Sequence, residues 1–396
     1  MRDGDELPQS AEIIVVGGGV VGLAIARKLA QGGAGVVLIE RGQQAGAEAS
    51  WAAAGMLAPQ VEADCFDAFF AIGCASRDAY PNFARELWAE TGVDIELERA
   101  GTLYLAFTEE DEEECARRFD WQTRAGLQVE RLTAKEVCAL EPQLSPRVRS
   151  ALRFPLDGQV ENRRLVAALA RACEACGVRI ITRTETTSIF VEGGRASGAA
   201  TSRGEIKAGA VVVAGGAWSS RLRLEGSFAD SFAAPASDAA TARIEPVRGQ
   251  MLCFAPAAAP LVRHVVYSPR GYLVPRRDGR LLAGTTTELA GFDKSVTDEG
   301  QQAIRAHARE IAPAVAGLGV SDAWAGLRPR GADDWPVMGA SCEVANLFYA
   351  TGHYRNGILL APLTGALVAE MILTGVVPHL LKAFTPERFR RACAVS

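Results

Sequence analysis

Short apolar runs and amphipathic segments alternate from the beginning of the chain. EIIVV (12–16) and GVVLIE (35–40) are typical of buried strands, GGGVVG forms a turn after the first, and AIARKLAQGG favours a helix between them. Two apolar runs separated by one helix are typical of a βαβ unit in a parallel sheet. Residues 12–40 are therefore predicted to form one such unit.

The same two patterns, apolar runs for strands and amphipathic segments for helices, predict the elements that follow. An acidic run, EEDEEECARRF (109–119), favours a solvent-exposed helix with no function of its own. Further helices are predicted over 67–90, 162–176 and 297–310, with a last one beginning at Pro362. Strands are predicted at TLYLAF (102–107), 184–191, 196–202, AGAVVVAGGAW (208–218), throughout 249–287 and at NLFYAT (346–351).

Segments of α/β type are thus interleaved with segments rich in antiparallel strands, which predicts an α/β fold of two discontinuous domains. A Rossmann-like dinucleotide-binding domain is expected from 10–95, 158–228 and 325–376. An α+β substrate domain with a largely antiparallel sheet is expected from 96–157 and 229–324. Residues 225–243, rich in Ala, Ser and Asp, are interpreted as a surface loop or insertion.

The composition of the chain argues against several classes of function. The chain has 396 residues and a net charge of −5, so nucleic-acid binding is not expected. The apolar stretch 357–377 contains Glu370, Pro362 and three glycines, which favours a buried helix over a membrane span. Nine irregularly spaced cysteines and a polar N-terminus without an apolar core indicate reduced thiols, no signal peptide and a cytoplasmic protein.

The clearest chemical motif is GGGVVG, Gly17 to Gly22. It follows a strand, opens a helix and is followed by Glu40 at the end of the next strand, which is the context of a dinucleotide fingerprint. Gly17 permits the tight turn, Gly19 lets the backbone approach a pyrophosphate, and Gly22 allows close packing of helix and strand. Glu40 is suited to accept hydrogen bonds from ribose hydroxyls, but the motif alone leaves NAD and FAD both open.

Further motifs are ASWAAAGM (49–56), VVVAGGAW (211–218), GYLVPR (271–276), WAGLRP (324–329) and TGHYRNGILLAPLTG (351–365). Together with the βαβ unit, GGGVVG and Glu40, they resemble glycine oxidase and the wider D-amino-acid oxidase and sarcosine oxidase superfamily, and the resemblance spans about 13–375. It implies a D-amino-acid oxidase-like fold, FAD, a small amino acid and molecular oxygen as substrates, and hydrogen peroxide as a product. A homotetramer and a supply of glycine imine for the thiazole of thiamine are also implied.

The resemblance also implies roles for individual residues. Arg328 would clamp the substrate carboxylate, Tyr272 would donate to the same group, and Arg355 would lie close to substrate and flavin. These three are the predicted catalytic and substrate-binding residues. The predicted FAD-binding residues are Gly17, Gly19, Val20, Val21, Gly22, Glu40, Arg41, Ser50, Ala54, Gly55, Met56, Thr186, His353, Tyr354, Arg355, Asn356, Gly357, Ile358 and Leu359.

Some positions depart from the family pattern or favour a plain structural role. Thr287 stands where a larger apolar residue can cover the pocket, and Arg270 stands where a His can occur. Arg330 is interpreted as a surface ion-pair residue, and Cys173 and Cys176 as ordinary thiols with no metal site. WAGLRPRGADDW (324–335) lacks the Cys that attaches flavin in some sarcosine oxidases, so noncovalent FAD is predicted.

The chemistry expected is hydride transfer from the α-carbon of a neutral amine to flavin, which needs no enzymic base. The four histidines are scattered and suggest no Ser-His-Asp arrangement, which fits that expectation. The helix expected at Pro362 would direct its positive end at the negatively charged side of reduced flavin. Two alternatives stay open: a D-amino-acid or amine dehydrogenase with a quinone or other acceptor, and a non-catalytic flavin-binding protein.

Overall fold

The structure is a computed structural model that describes residues 6–226 and 244–389. Apart from its first two residues, the loop predicted over 225–243 lies outside the described residues.

The strands, in chain order, are β1 (Ser10–Val16), β2 (Val36–Ile39), β3 (Met56–Leu57), β4 (Thr102–Ala106), β5 (Glu130–Thr133), β6 (Ser150–Phe154), β7 (Gly158–Gln159), β8 (Arg179–Ile181), β9 (Thr186–Glu192), β10 (Arg195–Thr201), β11 (Gly204–Val213), β12 (Arg223–Gly226), β13 (Glu245–Phe254), β14 (Val265–Ser268), β15 (Gly271–Pro275), β16 (Leu281–Gly284), β17 (Val320–Arg330), β18 (Val337–Ala340) and β19 (Leu347–Thr351).

The helices are α1 (Val20–Gln31), α2 (Ala49–Ala52), α3 (Pro59–Glu62), α4 (Ala68–Thr91), α5 (Glu109–Arg124), α6 (Ala134–Leu140), α7 (Asn162–Ala175), α8 (Asp298–Ile311) and α9 (Gly357–Thr374). Short 3-10 turns cover Gly216–Arg221, Pro313–Gly317 and His379–Phe384. The helices predicted over 67–90, 162–176 and 297–310 are confirmed to within a few residues.

Polar caps explain where the predicted helices begin. The Asp67 carboxylate accepts from the Phe70 amide at 2.7 Å at the start of α4, and Thr297 accepts from the Gly300 amide at the start of α8. Each side chain satisfies an amide that the first helical turn leaves without a backbone partner. Gly92, at φ 66°, ends α4 in the left-handed conformation that glycine adopts most easily.

The first sheet contains the parallel strands that the sequence predicts. β1 lies between β11 and β2, β2 pairs with β8, and β19 pairs with the far side of β11, all in parallel. Antiparallel β9 and β10 extend this sheet beyond β11. Helices α1, α4, α7 and α9 share an apolar core with one face of the sheet, and the carboxyl ends of the parallel strands meet at one edge.

The second sheet is mostly antiparallel, in the order β17-β13-β16-β15-β14-β4-β6-β5. The pair β14 and β4 is its parallel exception, and helix α8 covers an apolar face of the sheet. Its strands come from 102–154 and 245–330, so the chain crosses between the two sheets more than once. The predicted domain boundary at residue 325 falls inside β17, which stays in this sheet as far as Arg330.

The prediction that the last helix begins at Pro362 is wrong, because α9 begins at Gly357 and Pro362 lies within it. Proline has no N–H, so the carbonyl of Ile358, one turn earlier, lacks its helical donor. The hydroxyl of Tyr80 on α4, fully buried, donates to that carbonyl instead. A partner from a neighbouring helix therefore makes proline acceptable in the first turns of α9.

Helix α9 is long and apolar enough, by length and composition, to cross a membrane, and 56% of its residues are buried inside the protein. It packs so closely on α1 that a Cβ at Gly365 would lie 2.9 Å from the backbone of Ala24. In this structure the helix is part of the core, as its sequence predicts.

The bond between Tyr80 and Ile358 predicts a specific coupling. We expect Tyr80→Phe to destabilise the protein by about 1–3 kcal/mol, because a buried carbonyl is left without a donor. Pro362→Ala restores the missing helical N–H, so Tyr80→Phe should cost less in that background. Urea unfolding of wild type, both single variants and the double variant measures the coupling. Strictly additive effects would contradict this account of the helix.

Candidate functional site

A deep cavity of about 430 Å³ lies at the carboxyl edge of the parallel strands. Its walls are built by the loops that follow β1, β2, β11 and β19, together with the small-residue segment 46–58 and parts of β13, β15 and β17. Parallel α/β sheets bind their ligands at this edge, where strand ends and helix N-termini converge.

The glycine-rich loop lies at the floor of this cavity. Gly17 has φ +107°, and a Cβ there would lie 2.4 Å from the carbonyl oxygen of Ala214, so only glycine fits. Gly17 and Gly19 line the cavity. Gly22 lies behind the loop, where a Cβ would approach the Gly17 carbonyl to 1.9 Å. Its function is the helix packing expected from the motif, and it does not line the cavity.

Glu40 ends β2 beside this loop and is only 8% exposed. One carboxylate oxygen accepts from the Gly18 amide and the other from the Gly42 amide, both at 2.7 Å. Each oxygen keeps a further lone pair, so the group still has acceptor capacity for ribose hydroxyls. The backbone contacts hold the carboxylate at the cavity wall.

The small-residue segment forms the adjoining wall. Ser50 accepts from the Val20 amide at 3.0 Å and thereby joins this segment to the N-terminus of α1. Gly55 has φ +74°, and a Cβ there would lie 2.1 Å from the carbonyl oxygen of Val160. The predicted FAD residues that line this part of the cavity are Val20, Val21, Arg41, Ser50, Ala54, Gly55, Met56 and Thr186.

The turn between β19 and α9 supplies another wall. His353, Tyr354, Arg355, Asn356, Gly357 and Ile358 all line the cavity. Leu359 does not, because the helical turn directs its side chain into the apolar core, where it is 3% exposed. Burial lowers the pKa of His353 to about 4, and its ring lies 3.1 Å from the Thr364 hydroxyl, so this imidazole is neutral at neutral pH.

These features fit a bound dinucleotide. Glycine turns leave the backbone free of side chains beside the N-terminus of α1, where helical amides without backbone partners attract phosphates. Glu40 suits the ribose, and the N-terminus of α9 faces the same cavity farther along. FAD is thus expected to lie along this cavity from Glu40 to the turn at 353–358.

Arg328 and Tyr272 line the same cavity from the antiparallel sheet. The Arg328 guanidinium donates to the Thr285 hydroxyl at 2.6 Å and to the Thr286 carbonyl at 3.2 Å. It forms no ion pair with any residue that the structure describes, and burial lowers its pKa. A guanidinium is still charged at neutral pH under these conditions, so this group presents an unneutralised charge to the cavity.

Gly249 makes room for that guanidinium. A Cβ at this position would lie 2.1 Å from both terminal nitrogens of Arg328. Gly249 is not among the predicted site residues, because a glycine within a strand has no motif that links it to an arginine on the neighbouring strand. Register supplies the link, since β13 and β17 pair Gly249 with Gly326 and Val247 with Arg328.

Tyr272 is 7% exposed, and its hydroxyl lies 3.2 Å from the sulfur of Met251. Burial raises the pKa of this phenol, with Arg328 and Arg355 opposing the shift, so the hydroxyl stays protonated at neutral pH. Its ring stacks on Tyr267 with centroids 6.2 Å apart, which restricts the orientation of the phenol.

Arg355 differs from Arg328 because it already has an anionic partner. Its guanidinium donates to Glu62 at 3.2 Å, and this carboxylate raises the Arg355 pKa. Glu62 is not among the predicted site residues, because it lies on the short helix α3, beyond the ASWAAAGM motif. Helix α3 is held by the buried Asp157, whose carboxylate accepts from the Val61 amide at 3.3 Å.

The two positions that depart from the family pattern, Thr287 and Arg270, lie outside the cavity wall. Thr287 is exposed and does not line the cavity, whereas its neighbours Thr285 and Thr286 contact Arg328. Arg270 pairs with Glu310 at 2.8 Å. The surface role expected for Arg330 is confirmed by its ion pair with Asp334.

The two cysteines with redox spacing are free thiols, as predicted, and burial raises the pKa of both Cys173 and Cys176. Within the described part of the chain, no group of three or more His, Cys, Asp or Glu is suitably placed to hold a metal ion.

A family model described as FAD dependent oxidoreductase matches residues 12–371. The chain belongs to this family. The glycine oxidase of Pseudomonas aeruginosa is 35% identical over 92% of this chain and 95% of its own length. A bifunctional protein ThiO/ThiG of Synechocystis is 34% identical over 96% of this chain, which corresponds to 54% of that larger protein.

Solved structures agree with this assignment. The crystal structure of glycine oxidase from Geobacillus kaustophilus has a TM-score of 0.88 and 34% identity, covering 96% of this chain and 98% of its own. L-proline dehydrogenase from P. horikoshii has a TM-score of 0.83 and 26% identity, covering 98% of this chain and 99% of its own. The predicted superfamily, the D-amino-acid oxidase-like fold, FAD as cofactor and an enzyme of the FAD-dependent amino-acid oxidase type are confirmed.

Gly249 provides a test of the arginine's position. We expect Gly249→Ala to displace the Arg328 guanidinium and weaken binding of a simple carboxylate such as acetate. Loss of charge-assisted hydrogen bonds of about 1.5–3 kcal/mol corresponds to at least roughly tenfold in the dissociation constant. Acetate titrations that follow the flavin absorption band measure this constant.

Gly317→Ala is the matched control, because a Cβ at that exposed position meets no atom within 4 Å. Acetate affinity should be unchanged in the control. If Gly249→Ala bound acetate with wild-type affinity, the position of the Arg328 guanidinium would not depend on the missing side chain at residue 249.

Proposed function

We propose that the protein catalyses the oxidative deamination of glycine and other small amines, including sarcosine and small D-amino acids. The products are an imine or 2-oxo acid, ammonia and hydrogen peroxide. The observation that carries this proposal is the unneutralised guanidinium of Arg328 beside the Tyr272 hydroxyl, in the cavity that also holds the dinucleotide loop. A carboxylate is the group that such a pair binds best.

Arg328 and Tyr272 fix one end of the substrate. The guanidinium has a planar set of donors, two of its bonds are anchored on Thr285 and Thr286, and its face lies against Gly249. A carboxylate held by Arg328 and by one phenolic hydroxyl loses most of its rotational freedom. Positioning of this kind contributes several kcal/mol, about 7 or more in the best cases, to lowering the barrier.

Bound FAD would supply the acceptor for hydride from the substrate α-carbon. The protein needs no base at that carbon, because its hydrogen leaves as hydride and not as a proton. The lone pair of the neutral amine assists this departure. The neutral His353 and the ion-paired Glu62 fit this picture, since neither is a free, strong base beside the substrate. Glu62 neutralises Arg355, so within the described part of the chain Arg328 is the guanidinium near Tyr272 that keeps its charge uncompensated. This charge favours a substrate with one carboxylate.

A second candidate function is a dehydrogenase that passes electrons to a quinone or another acceptor. It is favoured by the likeness to L-proline dehydrogenase from P. horikoshii, which covers nearly the whole chain. The same carboxylate-binding pair serves either enzyme, because both begin with the same reduction of flavin. They differ in what reoxidises the flavin.

The proposal also covers the biosynthetic role, the location, the attachment of FAD and the oligomeric state. The similarity to the protein named ThiO/ThiG supports a role in supplying glycine imine for thiamine thiazole synthesis. We also propose a cytoplasmic location, noncovalent FAD and a homotetramer. Exposed apolar side chains at the ends of α4 and α9, among them Trp88 and Leu373, support self-association.

Anaerobic mixing distinguishes the candidates. We expect glycine, sarcosine or D-alanine, each added without oxygen, to bleach the flavin absorption band. Readmitted air should restore the band rapidly and produce hydrogen peroxide. Slow recovery in air, with fast recovery on addition of a quinone, would establish the dehydrogenase instead. A band that no small amine bleaches would contradict the proposed substrate class and favour a non-catalytic flavin protein.

Arg328 itself provides a test of the binding mode. We expect Arg328→Ala to raise the apparent KM for glycine by about 30- to 150-fold, from the loss of about 2–3 kcal/mol in charge-assisted bonds. FAD content, read from the visible spectrum, should stay unchanged.

Arg330→Ala is the matched control, since Arg330 lies two residues on in the same strand and pairs with Asp334 at the surface. An unaltered KM in Arg328→Ala would mean that another group binds the substrate carboxylate.

A further inference from the structure

The segment between β16 and α8, residues 285–297, crosses from the antiparallel sheet to the outer wall of the FAD cavity. There it contacts three cavity-lining residues, Glu48, Trp218 and Arg221, which come from the loops after β2 and β11. Two of them, Glu48 and Trp218, also hold a fourth cavity-lining residue, Arg41. Residue 41 directly follows Glu40, so this wall lies at the ribose end of the cavity.

The first connection is a ring stack in which guanidinium groups alternate with two aromatic rings tilted at 46° to each other. Arg41 lies 3.4 Å above the ring of Trp218, the Trp218 and Phe292 rings are 5.6 Å apart, and Arg221 lies 3.7 Å from the ring of Phe292. Contacts of this type combine apolar area with attraction of the cation to the ring face. Among these residues, Phe292 belongs to segment 285–297, which continues from the antiparallel sheet.

The second connection is a chain of charges. Glu48 accepts from Arg41 at 2.6 Å and from Lys294 at 2.9 Å, so one carboxylate holds a cation of the cavity wall and a cation of the crossing segment. These groups are partly exposed, which makes this contact weaker than the ring stack and sensitive to salt.

The segment is itself fixed at its origin. Arg248 on β13 donates to Glu288 at 3.0 Å and to Asp293 at 2.6 Å, and Gln250 donates to Glu288 at 2.8 Å. Arg248 is 7% exposed, whereas Glu288 and Asp293 are 28% and 56% exposed, so the guanidinium is the shielded part of this anchor. The segment therefore connects the antiparallel sheet to the cavity wall beside Glu40.

We propose that Phe292 and Lys294 are positioning residues that hold this wall closed against the ribose end of the dinucleotide and thereby retain FAD. Their action is indirect, through Trp218, Arg221 and Glu48, because neither residue lines the cavity. The proposal rests on FAD binding and not on glycine as substrate. Its failure is therefore distinguishable from a failure of the proposed reaction.

Release of FAD from the holoenzyme tests the proposal. Free FAD is followed by its fluorescence after serial dilution, which gives both the dissociation constant and the release rate. We expect Phe292→Ala to raise the constant by roughly three- to tenfold, the effect of losing one aromatic pair and one cation–π contact. Lys294→Gln should raise it by about two- to threefold at low salt. Lys294→Arg should restore retention.

Salt separates the two connections. In roughly 1 M salt, where the Debye length is about 3 Å, the effect of Lys294→Gln should disappear while that of Phe292→Ala persists. Leu289→Ala is the control within the same segment, because Leu289 is 70% exposed. It should release FAD at the wild-type rate.

A purely structural contact would give a different result. If Phe292→Ala lowered the unfolding temperature, read by far-ultraviolet circular dichroism, and released FAD only as it unfolded, the positioning role would be refuted. Wild-type release in both Phe292→Ala and Lys294→Gln would also overturn the proposal. Faster release at 25 °C with an intact dichroism spectrum is the expected outcome.

Discussion

The contact between Gly17, Gly22 and Ala214 is the constraint on which the rest of the site depends. Each glycine lies where a Cβ would come within 2.4 Å of a backbone oxygen, so helix α1 can begin directly at the end of β1 only because both side chains are absent. That approach brings the amino end of α1 to the edge where β2, β11 and β19 also end. A phosphate site and the other cavity walls meet there as a consequence.

The opposite part of the cavity is organised by charge. It contains two arginines with different partners. Arg355 is paired with Glu62, whereas among the described residues Arg328 donates to the neutral Thr285 hydroxyl and Thr286 carbonyl. Neutral partners orient a guanidinium without neutralising it, so its field remains available to a ligand. Chemically similar residues thus have different roles, set by whether a carboxylate lies beside them.

Neither sheet makes the site alone. The first provides the dinucleotide loop and Glu40, and the second provides Tyr272 and Arg328. Interleaving of the chain brings them together, and the contacts of Phe292 with Trp218 and of Lys294 with Glu48 join a segment of the second sheet to loops of the first. The distance from the dinucleotide loop to Arg328 and Tyr272 therefore depends on how the two sheets meet.

The sequence by itself determined the features that depend on near neighbours in the chain. The βαβ unit, the glycine motif with Glu40, the capped helices and the interleaved α/β fold follow from local periodicity and turn chemistry. The resemblance of short motifs indicated Arg328, Tyr272 and most of the cavity wall. Only the tertiary structure decided the contacts between distant segments. Gly249 makes room for an arginine on the neighbouring strand, Glu62 neutralises Arg355 from 293 positions away, and Tyr80 allows Pro362 inside α9. Leu359 lies in the first turn of α9, and its side chain packs into the core against α4 rather than into the cavity. Such features depend on which strands and helices become neighbours, and no local pattern of residues encodes that choice.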